Sequence, residues 1–129
     1  MINLENLDIT DNHVDELCKF LDGKEMVKQL NLRKNFISNK GAIKLSHFIR
    51  NGDNTLTHLD IERNYIGDDG GMSLLKALSE NYRMISCELK YGNPISDKLG
   101  LTIDREIKAN VQALEYERNH KHLDSTARF

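Results

Sequence analysis

Two cysteines, five histidines and an acidic pair set between glycines are where chemistry would first be sought in this 129-residue chain. Cys18 follows Leu17 in an apolar-periodic stretch, and Cys87 holds a place where equivalent segments carry leucine. A thiol in such surroundings has a raised pKa and reacts poorly, so neither reads as a nucleophile. The run GDDGG at 67–71 invites a calcium reading. Two adjacent carboxylates, however, lack the alternating ligands that a calcium loop uses. His120 and His122 have no further ligand types beside them and are read as solvated. There is no Gly-x-Ser-x-Gly turn, phosphate-binding loop or paired-histidine zinc motif. The residues therefore predict no enzyme, no metal and no cofactor.

Charge narrows the partner class. Lys plus Arg number 18 and Asp plus Glu 20, for a net charge of −2, without the clustered basic excess that a nucleic-acid binder presents. No apolar run approaches the length of a membrane span, so no membrane insertion is expected. The opening MINLENLDIT has no basic stretch followed by an apolar core, as a secretory signal would. Two cysteines are also too few for a disulfide framework. A reducing, cytoplasmic setting is expected.

The elements that must position any site come from a repeat. Residues 27–37, VKQLNLRKNFI, and 56–66, LTHLDIERNYI, both fit Leu-x-x-Leu-x-Leu-x-x-Asn-x-Leu, with Val or Ile allowed at the apolar places. Residues 4–14, LENLDITDNHV, fit the same template. Residues 84–95, MISCELKYGNPI, fit it with one residue inserted and Gly92 as the bulge. The template asparagines are Asn12, Asn35, Asn64 and Asn93. Their amides are expected to point inward and satisfy buried backbone groups. Leu-x-Leu alternation has the period of a strand with one buried face. About ten residues later the period becomes helical: Ile43, Leu45, Phe48 and Ile49 in one unit, Met72, Leu74, Leu75 and Leu78 in the next. Ser38 and the Asp68/Asp69 pair stand where N-caps belong, while Asn51-Gly52 and Asn81 end helices. The first helix is expected from about His13 to Leu21.

Each unit is thus strand, turn, helix and return, and units must stack to bury their apolar faces. The fold class predicted is α/β, a solenoid with a parallel sheet on the concave face and helices on the convex face. Repeats are expected at about 4–26, 27–55, 56–83 and 84–113. A last helix near Ser96 carries Leu99, Ile103, Ile107 and Val111 inward. The domain is set at 1–119, and 120–129 is expected as a polar flexible tail. Little sequence precedes the first strand, so self-association through its open edge is a further expectation.

The period of about 29, the helix after each strand, and phrases such as LDIERNYIGDDGGMSLLKAL resemble the ribonuclease-inhibitor-like subclass of leucine-rich repeats. The resemblance covers roughly residues 4–110. It implies a right-handed horseshoe segment whose function is recognition of another protein through the sheet and its loop edge. The end of the chain, from Ser96, resembles the helix that closes short arrays such as tropomodulin-like actin-filament caps.

On this reading the outward strand positions form columns. One is Asp8, Asn31, Asp60 and Glu88; the next is Thr10, Arg33, Glu62 and Lys90; a third is Asn6, Gln29, His58 and Ser86. The turns add Phe36, Arg63, Tyr65 and Tyr91, residue types favoured as interface anchors. The partner-binding set is therefore Asp8, Asn31, Arg33, His58, Asp60, Glu62, Arg63, Tyr65, Glu88, Lys90 and Tyr91. A bland alternative is that Arg33, Glu62 and Lys90 alternate in sign across strands and neutralise one another. Two other functions fit the resemblance: a bacterial effector acting on a protein in the host cytoplasm, and a GTPase regulator, since Ran GTPase-activating proteins use this subclass.

Overall fold

A computed structural model describes residues 1–52 and 54–126, with side chains as far as His120. Four strands alternate with four helices: β1 Ile2–Asn3, α1 Asp11–Leu21, β2 Gln29–Asn31, α2 Asn39–Asn51, β3 His58–Asp60, α3 Asp68–Glu80, β4 Ser86–Glu88 and α4 Asp97–Thr126. The strands form one parallel sheet in the order β1-β2-β3-β4, so α1, α2 and α3 are each the crossover to the neighbouring strand. Leu30, Leu59 and Cys87 are in register and project into the core. Leu32, Ile61 and Leu89 continue inward beyond them, and all three are buried.

The helices supply the other half of that core, with Ala42 and Ala77 joining the expected stripes and Met72, expected inward, 54 % exposed. Ala42, Leu45, Phe48 and Ile49 come from α2, Leu74, Ala77 and Leu78 from α3, and Leu99 and Ile103 from α4. Gly52 and Asn81 terminate α2 and α3, and Ser38 is the N-cap of α2. The N-cap of α3 is Gly67, one residue before the acidic pair. The fourth helix does not end where its predecessors do. It runs through Asn110, the place equivalent to Asn81, and its helical backbone continues to Thr126, into the segment expected as a tail. Residues 127–129 lie outside the described residues.

The first repeat departs from the sequence register. Ile2 pairs with Leu30 and Asn3 with Asn31, so the inward residues of the first strand are Ile2 and Leu4, not Leu7 and Ile9. Helix α1 accordingly starts at Asp11, two residues before the expected His13. This register packs Ile2, Leu4 and Ile9 against the core and leaves Leu7 58 % exposed. LENLDITDNHV matched the template by accident of its alternation.

Candidate functional site

With the register corrected, the middle column of the sheet face is Asn3, Asn31, Asp60 and Glu88. Asp8, assigned to that column from sequence, instead lies in the turn after β1, with φ 56°. Thr10 leaves the next column, being the N-cap of α1, and Glu5 takes its place opposite Arg33. Asn12 is likewise removed from the asparagine ladder. It sits exposed on α1, because the strand it was meant to follow begins five residues earlier than assigned.

Arg33 organises the face. Its Nη1 lies 3.0 Å from Glu62 Oε1 and 3.4 Å from Asp60 Oδ2, and its Nε lies 3.8 Å from Glu5. Asp60 is the main reason the guanidinium pKa rises; Glu62 and Glu5 add to it. Asn31 is held from both ends, donating to Glu5 Oε1 and accepting from the Arg33 amide. Lys90 does not complete an alternating row with Glu62. It reaches the other way, to Asp104 on α4 at 2.9 Å. The Glu62 carboxyl is pushed up, first by desolvation and then by Asp60, with Arg33 opposing and Glu88 adding. Glu88 has no cation paired with it among the described residues. His58, with Nδ1 2.7 Å from Thr57 Oγ1, and Ser86 flank this acidic centre.

The turns beyond the strands form a second row. Asn6, Lys34, Arg63 and Gly92 all take left-handed backbone, with φ from 55° to 76°, and stand at equivalent repeat places. At Gly92 a side chain would also meet the Arg63 backbone, at 2.9 Å from its Cα. The shared turn conformation aims the neighbouring side chains alike from one repeat to the next. Phe36 and Tyr65 stack with centroids 6.0 Å apart and 7° between planes, and the Arg63 guanidinium lies 5.0 Å from the Tyr91 ring centre. Phe36, Tyr65 and Tyr91 are 50 %, 60 % and 61 % exposed, although they pack on neighbours.

Beneath the turns lies the asparagine ladder. The Asn35 amide donates to Leu4, Leu32 and Arg33 carbonyls and accepts from Leu7 and Ile9 N–H. Asn64 donates to Leu32, Ile61 and Glu62 carbonyls and accepts from Ile37 N–H. Asn93 donates to Ile61 and Leu89 carbonyls and accepts from Asn64 and Ile66 N–H. Its bond to Leu89 spans four residues where Asn64 to Ile61 spans three, which locates the inserted residue of the fourth copy. Every asparagine therefore holds the turn of the repeat before it.

A second ladder escaped the sequence reading. Asp11, Asn39 and Asp68 each stand first in a helix. Asp11 Oδ1 accepts from the Ser38 and Gly41 amides, and its other oxygen from the Ser38 hydroxyl. Asn39 accepts from Gly67 and Gly70 amides, at 2.7 and 3.0 Å, and Asp68 from the Ser96 amide. Each side chain caps the start of the next repeat's helix. The GDDGG run is thereby explained as a packing device. The first helix has no predecessor here, and the Thr10 N–H instead donates to His13 Nδ1 within the same repeat. The signal was visible: Asp11, Asn39, Asp68 and Asp97 keep the repeat spacing that Asn12 breaks.

Neither cysteine is part of this surface. Burial pushes the Cys87 thiol up to about 12 and the half-buried Cys18 thiol up to about 11, aided at Cys18 by Asp15. A groove of about 710 Å³ opens where β4 ends the sheet, between Tyr91, Lys90 and the first turns of α4. No helix of the described residues is long and apolar enough to cross a membrane.

The family description "Leucine Rich repeat" matches residues 24–46 and 52–75, the second and third units. These are leucine-rich repeats. The leucine-rich-repeat fold extends over the whole chain: a solved structure described as "Leiomodin-1 Actin-Binding Site 2 (ABS2)" superposes with a TM-score of 0.76 at 14 % identity, covering 96 % of this chain and 87 % of its own. A tropomodulin C-terminal domain from Caenorhabditis elegans gives 0.56, also at 14 % identity, covering 91 % and 87 %. No curated protein matches this chain in sequence.

Proposed function

We propose that this chain is a non-catalytic protein-binding module whose partner lies along the turn edge and the adjoining sheet columns. The observation that carries this is the row of exposed rings, Phe36, Tyr65 and Tyr91, held in place by the repeat and by Arg63. Rings that are ordered before contact bury large area at low entropic cost, which is what an interface anchor requires. Beside them, Glu5, Asp60, Glu62 and Glu88 surround Arg33 while Lys90 is turned to Asp104, an acidic balance that repels a phosphate backbone and favours a basic protein surface. The module is read as acting in a reducing compartment, where Cys18 and Cys87 stay as thiols.

The leiomodin structure is named for an actin-binding site, which makes actin the first partner to test. Purified actin and a lysate are offered to the wild-type chain and to Arg63→Ala/Tyr65→Ala, whose residues are exposed and leave the core intact. A protein retained by the wild type and lost with the variant supports the reading. Equal retention by both moves the surface elsewhere, and no retained protein refutes a binding module. Loss of actin alone from the retained set names the partner.

A further inference from the structure

The two ends of the array are finished differently. At the first repeat, the ladder place equivalent to Asn35 is Leu7, and α1 is capped from within by Thr10 and His13. Nothing in that repeat reaches for a predecessor. The last repeat is unlike this. Asp97 occupies the place of Asp11, Asn39 and Asp68, each of which holds the following repeat, yet its carboxylate accepts no hydrogen bond among the described residues. In a parallel sheet alternate residues turn their N–H and C=O groups to opposite neighbours. Ser86 N–H and Glu88 C=O bond to β3, so the backbone groups of Cys87 and the N–H of Leu89 face away from it. They face the groove of about 710 Å³, whose far wall is Leu101, Ile103 and Asp104 of α4.

We infer that this groove is a strand-docking site, taking an extended basic segment of a partner protein as a fifth parallel strand beside β4. The inference rests on the reading of the chain as a binding module and names the chemistry of one partner segment. Polarity fixes the occupant. Leu101 is exposed and Ile95 half-buried, so an aliphatic side chain finds apolar floor, while Glu62, Glu88, Asp97 and Asp104 surround it with Lys90 as the one cation in the lining. The Lys90–Asp104 pair crosses the groove but is solvent-exposed on both sides, so an incoming Lys or Arg displaces it at little cost. An exposed strand edge that gives main-chain bonds, beside pockets that select alternate side chains, is a recurring mode of peptide recognition.

The probe is a fluorescein-labelled peptide of the sequence VKQLNLRKNFI, which the chain itself carries at 27–37. It has the inward Leu-x-Leu spacing, an asparagine and only basic charges. Titrated with the full chain, it should give saturable anisotropy, and hydrogen exchange at Cys87 and Leu89 should slow on binding. Glu88→Gln/Asp97→Asn, both exposed positions, should weaken binding about tenfold, as loss of about 1.4 kcal/mol would. A version with the three basic residues replaced by Glu should not bind. Absence of binding by the basic peptide overturns the inference, as does binding without slowed exchange at Cys87 and Leu89. So does protection of those amides by raising the concentration of the chain alone, which gives the groove to a second copy. None of these outcomes bears on the retention experiment at the turn edge, which tests the module reading separately.

Discussion

At Asn64 a single side chain bonds four backbone groups: three carbonyls and the buried Ile37 N–H. Replacement by alanine strands the Ile37 N–H and takes one donor from each carbonyl, which keep Asn35, Asn93 and the Lys34 N–H as their others. We expect Asn64→Ala to lose about 1–3 kcal/mol of stability in urea unfolding. Asn12→Ala, by contrast, should be close to neutral, since Asn12 is exposed and holds no turn. The pair checks the corrected register directly, because the sequence template assigned both residues the same role. What misled it was composition: LENLDITDNHV alternates correctly, while the true first strand has leucine where the others have asparagine. The thiols give a second residue-scale expectation. An unfolded cysteine ionises near 9.0, whereas the folded chain holds Cys18 at about 11 and Cys87 at about 12. Between those values the unfolded chain binds fewer protons, so stability falls as pH rises. The contribution is complete below about pH 9 and is lost as pH climbs through the folded values. Urea midpoints at about pH 8 and about pH 10.5 should differ less in Cys87→Ala than in the wild type.

The helices of this chain are not self-sufficient elements, since α2 and α3 receive their N-terminal caps from the helix before. This inverts a usual rule. Gly→Ala inside a helix normally gains up to about 1 kcal/mol. At Gly41, however, a Cβ would fall 2.4 Å from Asp11 Oδ1 and 2.8 Å from Ile37 Cγ2. Gly41→Ala should therefore destabilise, by about 1–3 kcal/mol, through displacement of the capping carboxylate. Hydrogen exchange should show the loss at the start of α2 while α1 is unaffected. The same dependence explains why helix positions and ends such as Ser38, Gly52 and Asn81 were legible from sequence and the capping side chains of the neighbouring repeat were not. Apolar periodicity lies within one element, whereas a cap supplied from a neighbouring repeat leaves only a spacing between polar residues, which competes with many others.

On the scale of the molecule, most of the fold was legible because one phrase is written several times, and stacking leaves few ways to arrange copies. The sheet face was legible for the second to fourth strands, and the direction of Lys90 was not, since the apolar stripe that predicts α4 does not say which strand residue its polar Asp104 meets. The long α4 is tied to the body by Asn110, whose amide donates to the Leu78 and Met84 carbonyls. Asn110→Ala should cost about 1–3 kcal/mol. Truncation after residue 113 keeps that tie and every described buried residue of α4. It should leave the thermal unfolding midpoint nearly unchanged, and a large fall would show that the distal helix supports the body.

The asparagines bind each repeat to the one before, and the residues that open the helices bind each repeat to the one after. Neighbours are thus laced in both directions, like courses of brick tied by alternate headers. A unit taken alone would lack partners on both sides, but a unit inserted whole brings both ties with it. The array is in this sense a length standard. Its span is set by how many cassettes are written into the chain, and lengthening it needs no new design at the joints.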